Sequence, residues 1–255
     1  MLKVRNIGLW ALIAFTWGLT PAASCIKSGD MAEPPASLPV NPIPPAADSL
    51  ATDSTAHSYL ALCDSYTIGQ SVSVTDRYPV QAAELIRAAH VHCKDPEIIA
   101  TTGWTTANLL DAIYQKAVPL PPYDIVTLLI GVNNQYQGGG QDEYKQQFSS
   151  LVQQSIKLAG NRPARVLVLS IPDYSVTPFA RGSNTALIAA QIDSFNAINL
   201  QVSMDLKVHW LDVTRESRKA ATDPSLIASD GLHFSGKEYG IWARLMEPVI
   251  KGMLK

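Results

Sequence analysis

The stretch YLALCDSYTIG, from Tyr59 to Gly69, joins a short apolar run to a polar turn. A short run without polar interruptions is typical of a strand that is buried on both faces of a sheet. The run stops at Asp64, and Ser65 stands just beyond it, where the loops of a parallel sheet bind ligands. The stretch therefore predicts a central strand, and it leaves two roles open for Ser65, a helix N-cap or a nucleophile.

Stretches with helical periodicity separate four further apolar runs, which are EIIAT, DIVTLLIG, ARVLVLSI and VHWLDV. One such stretch, QDEYKQQFSSLVQQSIKLAG, has a stop signal at Gly160 and an apolar face made of Tyr144, Phe148, Leu151, Val152 and Ile156. SGKEYGIWARLMEPVIKGML predicts the closing helix. Strands that alternate with helices indicate an α/β fold, with a five-stranded parallel sheet inside three α/β/α layers over residues 58–255.

The composition indicates one globular domain that binds small molecules. A chain of 255 residues, 47% hydrophobic and 16% charged, can bury one substantial core but is short for two domains. The formal net charge is -2 and no basic run stands out, which argues against nucleic-acid binding. We expect a monomer whose partner is a small neutral or apolar molecule.

Residues 1–24 have the pattern of an export signal. Lys3 and Arg5 precede the apolar run IGLWALIAFTWGL, and the small residues of TPAASC follow it. The pattern resembles a bacterial lipoprotein signal, which implies cleavage before Cys25 and a lipid on its thiol. Ala22 stands where such signals usually carry Leu, so ordinary secretory cleavage near Ala23 is the alternative. Both interpretations predict export, and the first predicts a lipoprotein anchored to a bacterial membrane.

Residues 25–57 predict a tether between that anchor and the domain. The segment is rich in Pro, Ala and Ser and poor in aromatic residues, as in EPPASLPVNPIPPAADS. It offers too little apolar surface to offset the entropy of ordering the chain. The predicted organisation is therefore a signal peptide, a lipidated cysteine with its tether, and a single domain from residue 58.

The two cysteines of the domain, Cys63 and Cys93, are too few for a disulfide framework or a structural zinc site. They could form one optional bridge, but two buried thiols are the preferred interpretation. HVHC, residues 90–93, ends a predicted helix and has no acidic or histidine partner at metal spacing. We therefore predict no metal site.

Chemically useful residues follow several of the predicted strands. Asp64 and Ser65 follow the first strand, Thr102 and Gly103 the second, and Asn133 the third, while the fifth leads to ASDGLHFSG. The carboxyl ends of parallel strands share one edge of a sheet, so these groups are expected to meet there. A hydroxyl, a glycine amide, a carboxamide, an imidazole and a carboxylate are the parts of an acyl-transfer site.

Four short motifs carry a family resemblance across nearly all of residues 59–255. DSYTIG, TGW, GVNN and DGLH, in this order and spacing, resemble the signature blocks of the SGNH (GDSL-type) hydrolases. The resemblance implies a flavodoxin-like fold and a serine esterase that needs no cofactor. By position it implies that Ser65 is the nucleophile and His233 the base, with Asp230 orienting His233. Gly103 and Asn133 would join the Ser65 amide in the oxyanion hole.

Two positions depart from the family pattern. Cys63 stands where the family usually has Gly, and Phe234 stands where Pro is common. If the glycine serves a left-handed backbone, Cys63 would strain the turn; if the position merely ends a strand, Cys fits. The second interpretation is preferred.

Competing residues are weighed by their place in the predicted fold. Asn134 is the main rival of Asn133. Of the other histidines, His57 lies in the predicted tether and His209 inside a strand, while His90 and His92 sit at a helix end. None of these four follows an acid on a strand-end loop as His233 does.

The substrate is expected to be a short-chain acyl or acetyl ester, possibly carried on a carbohydrate. Substrate-binding roles are predicted for Asp64, Tyr66, Trp104 and Asn134, and IPDYSVTPFARGSN is expected to line or cover the pocket. The chain lacks a G-x-S-x-G elbow, which argues against the α/β-hydrolase fold. An O-acyltransferase with the same site and a non-catalytic surface-binding lipoprotein remain the alternatives.

Overall fold

A computed structural model of the chain describes residues 55–115 and 122–255. Its sheet contains β1 (Tyr59–Cys63), β2 (Glu97–Ala100), β3 (Ile125–Leu129), β4 (Val166–Leu169) and β5 (His209–Leu211). All neighbouring strands are parallel, in the order β2-β1-β3-β4-β5. The five-stranded parallel sheet predicted from the apolar runs is thereby confirmed.

Eight α-helices connect and cover the strands in the described part of the chain. They are α1 (Ser65–Ile68), α2 (Tyr78–Ala88), α3 (Thr106–Gln115), α4 (Val132–Tyr136), α5 (Gln141–Leu158), α6 (Thr185–Asp205), α7 (Thr214–Ser217) and α8 (Gly236–Met253). α2 packs against α8, whereas α3 and α6 both pack against α5. Every residue of β1, β3 and β4 is buried, so helices cover both faces of the sheet.

The two helices predicted from periodicity are confirmed. α5 buries Tyr144, Phe148, Leu151 and Val152, as its apolar stripe requires, while the fifth predicted residue, Ile156, is only partly buried. α8 begins where the Ser235 side chain accepts a hydrogen bond from the amide of Glu238. No helix among the described residues is long and apolar enough to cross a membrane.

The domain begins earlier than residue 58. His57 forms an isolated parallel bridge with Cys93, and its amide donates to the His92 carbonyl at 2.8 Å. Its ring nitrogen Nδ1 lies 3.6 Å from a carboxylate oxygen of Asp124. Placing His57 in the tether was therefore wrong, because its backbone is paired beside the sheet. The signal peptide, Cys25 and the tether up to residue 54 lie outside the described residues.

Both cysteines of the domain are buried free thiols. Cys63 is the last residue of β1 and stays in regular parallel register with Ala100 on one side and Leu129 on the other. The position therefore ends a strand, as the preferred interpretation held. A cysteine side chain fits there without a left-handed backbone.

Candidate active site

The strand order brings three of the expected loops to one crevice. From β1 the chain first adds β2 on one side and then β3 on the other, so the order of strands reverses at β1. Such a reversal opens a crevice beyond the carboxyl ends of the strands. Ser65 follows β1, Gly103 follows β2 and Asn133 follows β3, so all three lie at this edge.

The turn after β1 is built around a buried carboxyl group. Asp64 is the N-cap of α1, and its Oδ1 accepts hydrogen bonds from the Tyr66 amide at 3.1 Å and the Cys63 thiol at 3.3 Å. Burial raises the pKa of Asp64 to about 7, although these hydrogen bonds oppose the shift. Asp64 thus shapes the turn that presents Ser65, the first residue of α1.

Gly103 lies in the loop between β2 and α3 with φ of +84°, in the region where L side chains are strained. Nothing lies within 4 Å of where its Cβ would stand, so the backbone angle, not crowding, favours glycine. Gly103 is exposed and lines the cavity that contains Ser65. Its backbone is therefore exposed at the cavity wall.

Asn133 enters the same cavity from α4. The preceding Gly131 has φ of +132°, and a Cβ there would lie 2.7 Å from both Tyr144 and Ile171, so the start of α4 requires glycine. The Asn133 amide nitrogen Nδ2 donates to the Trp104 carbonyl at 2.9 Å. Nδ2 also donates to Asp64 Oδ2 at 3.4 Å, so both of its hydrogens have acceptors, the second one at a long distance.

Asp230 and His233 form a close pair in the loop before α8. His233 Nδ1 lies 2.6 Å from Asp230 Oδ2, and Asp230 Oδ1 accepts from the amides of Leu232 and His233, each at 2.9 Å. The Ser71 hydroxyl also donates to Asp230 Oδ2, at 2.6 Å. Both carboxylate oxygens are therefore engaged, and the ring of His233 is held at Nδ1.

The charge state of Asp230 follows from these contacts. Burial alone would raise the pKa of Asp230, but hydrogen bonds from Ser71, the Leu232 amide and the ring and amide of His233 hold it well below its usual range. Asp230 is thus ionised at neutral pH and can only accept at Oδ2. His233 therefore donates from Nδ1, and its ring lies in the wall of the cavity that contains Ser65.

A cavity of about 210 Å³ lies between the loops after β1, β2 and β3 and the loop that carries His233. Its wall includes five predicted site residues: Ser65, Tyr66, Gly103, Asn133 and His233. The Tyr66 ring also packs edge-on to His233, with ring centroids 5.7 Å apart. The structure therefore brings the expected nucleophile, base and oxyanion donors together on one small surface.

Three residues predicted to bind substrate have other positions. Asp64 is fully buried below the turn, and Trp104 meets Asn133 through its carbonyl oxygen; neither lines the cavity. The Asn134 side chain accepts from the Thr106 amide at 3.0 Å and donates to the Thr106 hydroxyl at 2.7 Å. Asn134 therefore accepts a hydrogen bond from a backbone amide at the N-terminus of α3, which has no partner within the helix. Its side chain thus supports the fold and does not face the cavity.

An aromatic group that sequence reasoning identified only in part borders the cavity. Tyr136, Tyr174 and Phe179, which we call the aromatic rim, have ring centroids 6.0 to 6.4 Å apart. Tyr174 and Phe179 belong to the segment expected to line the pocket. Tyr136 was missed, although its spacing of three residues from Asn133 places both on one side of a helix.

The described residues show no sign of a metal centre. Among them, no group of three or more His, Cys, Asp or Glu side chains is arranged to hold a metal ion.

The sequence of the domain matches the family model for the GDSL-like lipase/acylhydrolase family over residues 61–241. The chain belongs to the GDSL-like lipase/acylhydrolase family. As a family member it is a hydrolase acting on ester bonds, with the SGNH hydrolase fold. No curated protein sequence matches it significantly.

Solved structures with the same fold include other members of this hydrolase class. A lipase/acylhydrolase from Enterococcus faecalis is 17% identical, with a TM-score of 0.60, over 78% of this chain and 97% of its own. The psychrotrophic esterase EstA from Pseudoalteromonas sp. is 17% identical, with a TM-score of 0.57, over 78% of this chain and 98% of its own. An acetylxylan esterase from Geobacillus stearothermophilus is 18% identical, with a TM-score of 0.56, over 76% of this chain and 94% of its own.

Proposed function

We propose that this GDSL-type hydrolase is a serine esterase that cleaves short-chain acyl or acetyl esters, including those of carbohydrates, through an acyl-enzyme on Ser65. The observation that carries the proposal is the 2.6 Å contact of Asp230 with His233, whose ring shares a small cavity with Ser65, Gly103 and Asn133. Nucleophile, base, orienting acid and oxyanion donors are thus all within one site.

In the proposed acylation step, His233 Nε2 removes the proton of Ser65 as the Ser65 oxygen attacks the ester carbonyl. Asp230, held ionised by its hydrogen bonds, stabilises the imidazolium that results. The protonated ring then gives its proton to the leaving alcohol. A water molecule, activated in turn by His233, hydrolyses the acyl-enzyme and releases the acid.

In the proposed mechanism three donors stabilise the developing oxyanion: the amides of Ser65 and Gly103, and the side chain of Asn133, which gives up its long 3.4 Å bond to Asp64 Oδ2 for the oxyanion. The left-handed backbone of Gly103 and the bond from Asn133 to the Trp104 carbonyl orient two of these donors before substrate binds. Donors that are already oriented need little reorganisation when charge develops, which is why such sites lower the barrier.

The size of the cavity supports a short acyl group. A volume of about 210 Å³ lies below the roughly 300 to 1,000 Å³ typical of pockets that enclose drug-sized ligands. A long fatty chain would extend beyond this volume, away from the contacts of the cavity wall. A solved structure of the same fold is named an acetylxylan esterase, which is consistent with acetyl esters as substrates.

The aromatic rim supports a sugar or another ring in the alcohol part of the substrate. The Phe179 amide donates to the Gly231 carbonyl at 2.9 Å, within the loop that carries His233. Because the leaving alcohol takes its proton from His233, it departs beside that loop. Tyr136 and Phe179 remain 59% and 47% exposed, so their rings are open to the C–H face of a sugar.

We expect wild-type protein to hydrolyse ethyl acetate and glucose pentaacetate, and ethyl decanoate much more slowly. Tyr136→Ala and Phe179→Ala should each lower kcat/KM for glucose pentaacetate about 3- to 10-fold, because a lost ring contact is worth roughly 0.5 to 1.5 kcal/mol. Their kcat/KM for ethyl acetate should stay within about twofold of wild type. Steady-state rates from a pH-stat measure all three esters.

Tyr114→Ala is the matched control, since Tyr114 is an aromatic residue on α3, is 64% exposed and lies off the cavity wall. Its rates on all three esters should equal those of wild type. If the two rim variants lose activity on ethyl acetate as much as on the sugar ester, the rings do not select the alcohol. If wild type cleaves none of the esters, the proposed substrate class is wrong.

We also propose that the protein is exported and held at a bacterial membrane by a lipid on Cys25. The support is the sequence TPAASC after a basic and then apolar segment. Wild-type protein expressed in a bacterial host should sediment with membranes, whereas Cys25→Ala should be recovered in the soluble fraction.

Cys93→Ala is the control for that fractionation, because Cys93 is a buried thiol of the domain and should not affect anchoring. Equal partitioning of wild type and Cys25→Ala would contradict lipidation at Cys25. Mass spectrometry of the N-terminal peptide would then separate ordinary secretory cleavage from an uncleaved signal.

A further inference from the structure

Ser71 combines a strained backbone with a contact to the expected catalytic acid. Its φ is +65°, in the left-handed region that non-glycine residues seldom adopt. Its hydroxyl donates at 2.6 Å to Oδ2 of Asp230, a residue 159 positions away in sequence. Oδ2 is the same oxygen that accepts from His233 Nδ1. An unfavourable backbone angle thus coincides with a hydrogen bond that reaches the catalytic loop.

The short segment that carries Ser71 follows the nucleophile directly. α1 starts at Ser65 and ends at Ile68, and the chain turns at its left-handed C-cap, Gly69. The Gln70 amide donates to the Ser65 carbonyl at 3.0 Å. The Gln70 side chain accepts from the Thr102 hydroxyl at 2.9 Å, next to Gly103. Gln70 therefore contacts the loop that carries Gly103, and the next residue, Ser71, contacts the loop that carries Asp230.

We propose that Ser71 is a positioning residue for catalysis, which orients the Asp230 carboxylate toward His233 and links the nucleophile turn to the loop that holds the base. The proposal rests on the proposed serine-esterase function. Ser71 touches neither substrate nor the reacting atoms in this role; it acts through Asp230.

The physical reason is the number of hydrogen bonds that Asp230 accepts. The amides of Leu232 and His233 engage Oδ1, so rotation of the carboxylate is restrained from that side. The Ser71 hydroxyl restrains Oδ2 while leaving it free to accept from His233. Without the hydroxyl, water competes for Oδ2, and the imidazole loses part of its fixed orientation.

Ser71→Gly separates this role from a structural one. Glycine adopts φ of +65° more readily than serine, which offsets the lost hydrogen bond to Asp230, so the variant should keep a melting temperature close to that of wild type. It lacks the hydroxyl, so kcat for ethyl acetate should fall about 5- to 20-fold with little change in KM. That range lies at and below the lower end of the effect of a hydrogen bond to a charged group, because the contact is exposed.

Ser71→Thr should behave in the opposite way. It restores the hydroxyl but places a β-branched residue at a left-handed position, so its melting temperature should fall while kcat stays within about threefold of wild type. Ser73→Ala is the control in the same segment, since the Ser73 hydroxyl contacts Thr75 and Asp76 instead of Asp230. Its kcat should equal that of wild type.

Two results would overturn the proposal. One is a stable Ser71→Gly variant with kcat within twofold of wild type; the other is activity that tracks melting temperature across the Gly and Thr variants. Either result leaves the proposed function standing as long as Ser65→Ala is inactive. An active Ser65→Ala protein would instead remove the proposed function itself.

Discussion

Ser65→Ala and His233→Ala are each expected to lower kcat for ethyl acetate by about 10⁴- to 10⁶-fold. In the proposed mechanism, the first variant lacks the oxygen that attacks the ester, and the second lacks the base that accepts its proton. Because the two side chains act in one proton transfer, either loss stops the same step. The double variant should therefore be little slower than the slower single variant.

A phosphonate ester probe gives a readout that does not depend on turnover. It should modify Ser65 in wild type and leave Ser65→Ala unlabelled, with intact-mass analysis locating the adduct. His209→Ala is the control for His233→Ala, since His209 lies in β5 and should affect kcat only through folding. Full activity in Ser65→Ala protein, free of host esterases, would contradict the serine-esterase mechanism.

Asp230→Asn should lower kcat about 10²- to 10⁴-fold while the fold stays intact. The carboxylate accepts from His233 Nδ1 at 2.6 Å and from the Ser71 hydroxyl at 2.6 Å. An amide at this position is neutral, so it cannot stabilise the imidazolium that the proposed mechanism forms on His233. It can also turn its NH₂ group toward Nδ1, which would force the wrong tautomer on the ring.

The matched control is Asp223→Asn. Asp223 is also in the segment before α8, but its carboxylate pairs with Lys237 at 2.8 Å, and Asp223 does not line the cavity. Kinetics of both variants, with melting temperatures measured alongside, isolate the effect of the charge at position 230. Asp230→Asn activity within tenfold of wild type would mean that His233 does not need this partner.

Sequence reasoning located the sheet and most of the cavity wall for identifiable reasons. Short apolar runs mark strands because a central parallel strand is buried on both faces and tolerates few polar residues. β1, β3 and β4 are indeed buried throughout. Loops that bind ligands follow such strands, so the residues just beyond each run were the natural candidates.

The errors arose where a contact joins distant parts of the chain. Asn134 stands beside Asn133 in sequence, but its amide faces Thr106 and satisfies the start of α3. His57 looks like part of a Pro-rich tether, yet its backbone pairs with residues next to Cys93. Neither partner can be inferred from local composition, because each pairing depends on how the elements pack.

The sequence by itself determined the fold class, the strands and the residues that follow each strand at the sheet edge. Periodicity and spacing are local properties of the chain, so they can be read without the tertiary structure. Only the tertiary structure decided which side chains share the cavity and which support it. Tyr136 reaches the aromatic rim and Ser71 reaches Asp230 across 159 positions because helices and loops that are remote in sequence meet there. Such contacts result from packing geometry, which no local pattern encodes.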